Sequence, residues 1–437
     1  MKKLLSSLLL ILLNPTLIFA QAVSRFPKPD FQVEYLRPSL QTPAARSQFF
    51  EFLDVFVLIG TLSLASYFAL KLRSRKKMFL LMIFSLAYFG FYRQGCICPV
   101  GSVQNISLAI FNSGYAIPLT AILFFAIPLI FTLFFGRTFC AAVCPLGAIQ
   151  DTVVMSPVKV TPWLAQVLGI IPYMYLGLAI LFASTGAGFI ICQYDPFVGF
   201  FRFGASFNMI VLGISMLLLG TVVARPYCRF LCPYGVLLSW MSRLSKWHAR
   251  ISPAECINCR LCEESCPFGA IDMPTGEAKP SRDKNLKQVA VLFILLPLIV
   301  ISSGWVVSRL YVPLSRQHFT VSLAETIQLE NSGERAFTTE ESDIFRASGK
   351  PMEELFDEAQ IIRNKFRTGG WILGLFIGIV ICVKLIGLTV FRRKTEYTTN
   401  TGNCQSCARC FSYCPIEQVR LGNMAPEDAM KLKQSIE

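Results

Sequence analysis

The spacing Cys-x2-Cys-x2-Cys-x3-Cys-Pro occurs twice, at Cys256–Pro267 and at Cys404–Pro415. It wraps three thiolates around one corner of a [4Fe–4S] cube, and the fourth cysteine crosses to the other cube of a two-cluster fold. Each copy therefore depends on the other for one ligand. Between the copies lie two apolar runs, 288–307 and 371–391, each near the ~20 residues that a helix needs to cross a bilayer. A helix pair that goes out and comes back lets both halves meet on one face. On this reading Cys256, Cys259, Cys262 and Cys414 hold one cluster, and Cys404, Cys407, Cys410 and Cys266 hold the other. Two zinc knuckles are the competing reading, but the Cys-Pro ending is particular to ferredoxins.

Apolar runs recur along the chain. Hydrophobic residues make up 54% of it and charged residues 16%, well below the quarter usual in soluble domains. Lys2 and Lys3 lead into the apolar stretch Leu4–Leu13, Asn14-Pro15 breaks it, and Ala20-Gln21-Ala22 supplies small residues. That is the pattern of a bacterial signal peptide over 1–22. An uncleaved first helix is the alternative, disfavoured by the short run and Pro15. Seven spans are then expected, at 51–72, 78–93, 115–135, 166–191, 207–224, 288–307 and 371–391. The expected fold class is an all-α polytopic membrane protein with about seven transmembrane helices. A small α+β two-cluster ferredoxin-like module sits on its cytoplasmic face.

Basic residues orient the chain, because Lys and Arg are retained on the cytoplasmic side. The first span ends in "KLRSRKK" at 71–77, and the last runs into Arg392, Arg393 and Lys394. The loop 225–287 is also rich in Arg and Lys, whereas loops 94–114 and 192–206 hold Arg202 as their one basic residue. The expected location is the bacterial inner membrane, with a periplasmic N-terminus and a cytoplasmic C-terminus. This placement accounts for the net charge of +14 without nucleic acid. The expected segments are 23–50, short and periplasmic; 51–250, a five-helix membrane domain; and 251–285, ferredoxin half 1. A transmembrane helix at 286–307, a periplasmic segment at 308–370 and a helix at 371–391 follow, then ferredoxin half 2 and the tail at 392–437. The periplasmic 308–370 reads as a small packed cap with no catalytic constellation.

Sixteen cysteines against two histidines point to thiolate-held metal and away from haem. His248 falls inside and His318 outside, so neither can ligate a haem within the membrane. The phrases "CPVGSVQ" at Cys98, "CPLGAIQ" at Cys144, "CPYGVLL" at Cys232 and "CPFGAID" at Cys266 share Cys-Pro followed by Gly. Pro and Gly at these offsets place each cysteine at a corner entering a new helix. Cys140 with Cys144 and Cys228 with Cys232 are Cys-x3-Cys-Pro pairs at cytoplasmic span ends, a candidate third metal site of four thiolates. Free thiols packing a turn are the alternative. Cys96, Cys98 and Cys192 fall at outer span ends and form a candidate outer-side metal site. Cys96 with Cys98 as a redox pair, or structural thiols, are the other readings. Cys382 reads as a small core residue. "ASTGAG" at 183–188 has the wrong order for a flavin-attachment threonine motif and reads as helix packing by small residues.

The ordered set "RQGCICPVGSVQN", "FCAAVCPLGAIQD", "CQYDPFVGFFR" and "CRFLCPYG", with the two ferredoxin motifs, resembles the membrane half of the NosR/NirI-type polyferredoxins over roughly 50–415. NapH-type and CcoG-type proteins share the plan. The resemblance implies electron transfer between a cytoplasmic or quinol donor and a periplasmic reductase system, which in the best-known branch reduces nitrous oxide. Full-length members carry a flavin-binding region before the first span; here 23–50 stands in that place. A separate partner subunit would then carry the flavin.

No residue set resembles an acid–base pair, a nucleophile or a phosphate cradle. The expected function is a membrane iron–sulfur electron carrier with two [4Fe–4S] clusters. A further cysteine-bound metal centre and a quinone complete the expected cofactors. The rivals are a thiolate metal-handling protein, for copper among others, and a redox-sensing regulator.

Overall fold

The computed structural model describes residues 46–95, 98–155, 157–251, 256–274, 282–335, 337–389 and 396–429. The expected signal peptide, nearly all of 23–50 and Cys96 lie outside the described residues. The described residues form helices and one pair of two-residue strands. Helix α1 (Gln48–Leu70) turns back through α2 (Arg75–Ser85), which runs on as a π-helical stretch, Leu86–Tyr92. Buried Asp54 near the start of α1 fixes this hairpin, pairing with Arg93 at 2.8 Å and accepting from the Tyr88 hydroxyl at 2.7 Å.

The expected outer loop 94–114 is not a loop: α3 (Pro99–Phe111) fills most of it and packs inside the bundle. Pro99 stands at the first helical position, where its missing N–H costs nothing. The segment carries no charge, so Val100 to Gln104 can be buried. Helix α4 (Leu119–Phe135) then spans from Glu51, which accepts from Thr120 at 3.1 Å, to Trp247, which donates to the Phe134 carbonyl at 2.7 Å. Helices α5 (Pro145–Thr152), α6 (Ile171–Thr185), α7 (Phe207–Val222) and α8 (Pro233–Arg243) complete the bundle. Its core holds Leu58, Leu62, Met78, Met82, Phe89, Phe197 and Tyr234, all fully buried. Within a bilayer such side chains hold the bundle by close packing rather than by removal from water.

Among the described residues, four helices are long and apolar enough to cross a membrane: Gln48–Leu70, Pro162–Thr185, Ala290–Arg309 and Met352–Leu388. Three of the seven expected spans are shorter or less regular. Helices α4 and α7 have 17 and 16 residues, about 25 Å at ~1.5 Å per residue against a ~30 Å hydrocarbon core. The third, expected at 78–93, is the α2 helix with its π-helical continuation. Leu80, Phe293, Ile294 and Phe56 stand exposed, as side chains facing lipid do.

Helix α9 (Arg282–Arg309) pairs closely with α12 (Met352–Thr389). Gly370, Gly374 and Gly378 line one face of α12. A Cβ at Gly374 would lie 2.4 Å from the Ser303 carbonyl oxygen, and one at Gly378 2.8 Å from the Val300 Cα. Small residues here let two backbones touch, and Ser303 donates to the Gly374 carbonyl at 2.8 Å. The expected helix at 371–391 thus starts earlier, at Met352, as one unbroken helix of 38 residues. Its first half packs against α10 (Phe319–Asn331) through Val321, Ile327, Leu355, Ile362 and Phe366. Glu330 accepts from the Thr339 N–H, Ser342 and Arg346, tying α11 (Glu340–Ala347) to α10. Cys382 is buried, with its sulfur 3.9 Å from the Leu296 carbonyl oxygen.

Candidate metal centres

The two ferredoxin motifs share an uncommon backbone. Asn258 and Arg260 in the first, and Ser406 and Ala408 in the second, all adopt positive φ between 51° and 60°. These are the second and fourth residues after the first cysteine in each copy. Such conformations are disfavoured for residues with a Cβ, costing of order 1–3 kcal/mol each. They turn successive N–H groups into a concavity suited to an anion, as at many iron–sulfur sites. The Ser406 N–H points at the Cys404 sulfur at 3.4 Å, and the Ala270 N–H at the Cys266 sulfur at 3.4 Å.

The halves join through strand β1 (Ile271–Asp272), antiparallel to β2 (Thr398–Thr399), and through the Asn400 N–H on the Ala270 carbonyl at 2.7 Å. Their cysteines interleave. Cys414 lines one cavity together with Cys256, Cys259 and Cys262, and Cys410 reaches its wall. Burial first, then Cys259, Cys256 and Cys414, push the Cys262 thiol up to about 11. Burial, then Cys407, Cys404 and Cys266, hold the Cys410 thiol well above its ordinary value. A bound metal ion would reverse this by favouring the thiolate. Cys262 is a weaker sulfur neighbour of Cys410, so the two groups of thiols adjoin.

A third group of sulfurs lies where the module meets the bundle. Cys144 has Cys228, Cys140 and Cys232 as its sulfur neighbours. Cys144 and Cys232 each cap a helix whose first residue is the following proline, α5 and α8. The same holds for Cys98 before α3 and for Cys414 before Pro415–Arg420. Gly147 and Gly235 admit the preceding loop closely: a Cβ there would lie 3.0 Å from the Cys140 carbonyl and 3.4 Å from that of Cys228. The Gln150 amide donates to the Cys228 sulfur at 3.3 Å and the Arg137 guanidinium approaches the Cys140 sulfur at 3.8 Å. Four thiolate donors among hydrogen-bond donors and buried arginines fit a negatively charged iron–sulfur centre.

Cys98 stands next in line. It has Asp195 and Cys192 as charged neighbours, and it is itself a neighbour of Cys232. A Cβ at Gly101, in the first turn of α3, would lie 3.2 Å from the Cys192 sulfur. Buried Asp195 accepts from the Phe197 N–H at 2.9 Å and from the Tyr227 hydroxyl at 3.2 Å. Cys98 is half-buried and packs against the core of the bundle. Among the described residues, no three His, Cys, Asp or Glu side chains converge as they would around a single ion.

The histidines serve elsewhere: His318 caps α10 by accepting from the Thr320 N–H, and His248 bonds Ser245. The end of "ASTGAG" is a helix stop, with Gly186 left-handed at φ 77°. Sequence reasoning missed Arg137, Gln150, Asp151 and Arg225. The signal was present for two of them, since each Cys-x3-Cys-Pro pair is preceded at three residues by an arginine.

A family model described as "4Fe-4S binding domain" matches residues 117–170 and 205–252, and a second of that description matches 249–272. The protein NirI of Paracoccus denitrificans is 32% identical over 34% of this chain and 24% of its own length. The putative electron transport protein YccM of Escherichia coli is 24% identical over 39% of this chain and 52% of its own. The regulatory protein NosR of Pseudomonas aeruginosa is 28% identical over 44% of this chain and 29% of its own. The chain thus spans no more than about half the length of these relatives. No solved structure matches. Motifs, family models and relatives agree in likening the chain to the NosR/NirI-type membrane polyferredoxins.

Proposed function

We propose that this chain passes electrons through the membrane along a line of cysteine sites. Cys256, Cys259, Cys262 and Cys414 would hold one [4Fe–4S] cluster, and Cys404, Cys407, Cys410 and Cys266 a second. Cys140, Cys144, Cys228 and Cys232 would hold a third centre, and Cys98 with Cys192 would contribute to a fourth. Iron–sulfur centres supply one-electron carriage at each site. The chain's own residues space the sites and shield them from water.

The observation that carries this reading is continuity. Cys262 neighbours Cys410, Arg225 has both Cys228 and Cys407 as charged neighbours, and Cys232 neighbours Cys98. A hydrocarbon core of ~30 Å is too wide for one efficient tunnelling step, and a ladder of sites divides it. The ferredoxin end would face the cytoplasm, supported by Lys71, Arg73, Lys76 and Lys77 at the end of the first hairpin. The donor would be cytoplasmic or a quinol. The acceptor would be a periplasmic redox system, with a separate subunit carrying flavin. The test is electron transfer in sealed vesicles with donor and acceptor on opposite sides, alongside iron analysis. Transfer that survives complete loss of iron would end this reading.

A further inference from the structure

Arg225 is fully buried, and Arg137 nearly so. Each stands three residues before the first cysteine of its own Cys-x3-Cys-Pro loop, and each crosses to the other loop. Arg225 donates to the Cys140 carbonyl and, at 3.1 Å, to the Ala141 carbonyl; it lies 3.4 Å from where a Gly147 Cβ would sit. Arg137 lies 3.5 Å from where a Gly235 Cβ would sit. Both also grip the second ferredoxin half. Arg225 donates to the Gln405 side chain at 2.9 Å, and Arg137 to the Gly402 carbonyl at 3.0 Å.

Their charges are under-compensated. Arg225 pairs with Asp151 at 3.3 Å, but Asp151 is shared with Arg75 and Arg409. Arg137 bonds a carbonyl and a sulfur, no carboxylate pairs with it among the described residues, and its Nε has no partner. Buried cations without anions are strongly unfavourable. Arg225 is also held left-handed at φ 50°, directly before Pro226, where the chain prefers extended conformations. Strain of this kind persists where the surroundings over-determine it. Metal–thiolate centres on either side are the anions this arrangement lacks. Beyond its pair with Asp151, Arg225 has Cys228 and Cys407 as further neighbours in its electrostatic surroundings.

We propose that Arg137 and Arg225 are positioning residues that charge-balance the Cys140/Cys144/Cys228/Cys232 centre and fix it against the ferredoxin loop Gly402–Cys407. This rests on the reading that those four thiolates hold a metal centre. One electron would move from the ferredoxin side to this centre with no bond made or broken and no proton carried. The added negative charge would be stabilised by guanidinium groups already in place.

The test is a potentiometric titration followed by electron paramagnetic resonance on the full chain, with iron counted in each sample. In R137Q and R225Q the reduction equilibrium of the third centre should fall about tenfold, about 59 mV for one electron. R137K and R225K, which keep the charge, should stay close to the unsubstituted protein. Glutamine variants with full iron and unmoved potentials overturn the proposal. Where glutamine variants lose iron, lysine variants that retain it support the charge-balancing role, and lysine variants that lose it equally overturn it. If the unsubstituted protein has only the two ferredoxin-type centres, the reading beneath the proposal fails instead.

Discussion

Gln104 accepts a hydrogen bond from the N–H of Ile191 at 3.0 Å, in the buried centre of the bundle. Gln150 accepts one from the N–H of Tyr227, also at 3.0 Å. Each glutamine is the seventh residue of a "CP-x-G" phrase, and each donor directly precedes a cysteine, Cys192 or Cys228. One device therefore occurs twice: a cysteine-capped helix whose first turns hold a second cysteine by the backbone before it. The pair Cys98 and Cys192 is built like Cys144 and Cys228. A buried N–H left without its acceptor costs about 1–3 kcal/mol, so both glutamines also hold the loops in place.

The first expected outcome follows for that pair. Cys98→Ser and Cys192→Ser should leave the iron of the two ferredoxin-type clusters intact. They should cut electron transfer across sealed vesicles at least tenfold, because the step beyond Cys232 loses its next site. Full transfer in both variants would leave Cys98 and Cys192 as structural thiols.

Parts of this arrangement are written plainly in the chain. Pro99, Pro145, Pro233 and Pro415 each open a helix after a cysteine, and proline's fixed φ makes that readable from sequence. The apolar spans within α1 and α9 follow from hydropathy alone. The start of α3 at Pro99 was legible, but its packing inside the bundle was not, since an uncharged helix between two spans looks the same outside or inside until its neighbours are known. The stripe Gly370, Gly374 and Gly378 carries a local signal, but its partner, Ser303, is fixed only by tertiary contact. Arg137 and Arg225 look like ordinary cytoplasmic charges in sequence. Their crossing between the two loops is a long-range relationship that no local pattern encodes.

Ligand crossing between the ferredoxin halves can be tested by Cys414→Ser. Cys414 shares a cavity with Cys256, Cys259 and Cys262. The serine variant should lose or convert that cluster and keep the one around Cys404, Cys407, Cys410 and Cys266. Spectra of the reduced protein distinguish the two, and damage restricted to the second cluster would contradict the crossing.

The contact between α9 and α12 should be intolerant of volume. At Gly374 a Cβ already meets the Ser303 carbonyl at 2.4 Å and the Gly304 Cα at 2.6 Å. Gly374→Leu should destabilise the helix pair by at least the ~1–3 kcal/mol typical of overpacking. Because this pair brings the ferredoxin halves together, bound iron should fall too. Gly387, in the same helix, has open space around it, and Gly387→Leu should behave like the unsubstituted protein in thermal unfolding. Equal melting of both variants would refute the close contact.

Asp151 should reveal its partners through pH. It is buried among Arg75, Arg225 and Arg409. Burial alone would raise its carboxyl, but the three guanidinium groups outweigh it and hold the group well below the usual carboxylate range. A depressed folded value means that its stabilisation is fully present above the unfolded value of about 3.9. It is lost as pH falls from there toward the folded value. Asp151→Asn removes the shared anion and leaves three cations facing one another, which should cost about 3–5 kcal/mol at pH 7. Between pH 8 and pH 5 the gap in melting temperature between the two proteins should stay constant. Below about pH 4 the gap should narrow, as the unsubstituted protein loses what the variant already lacks. A gap unchanged down to pH 3 would show that Asp151 acts through shape rather than charge.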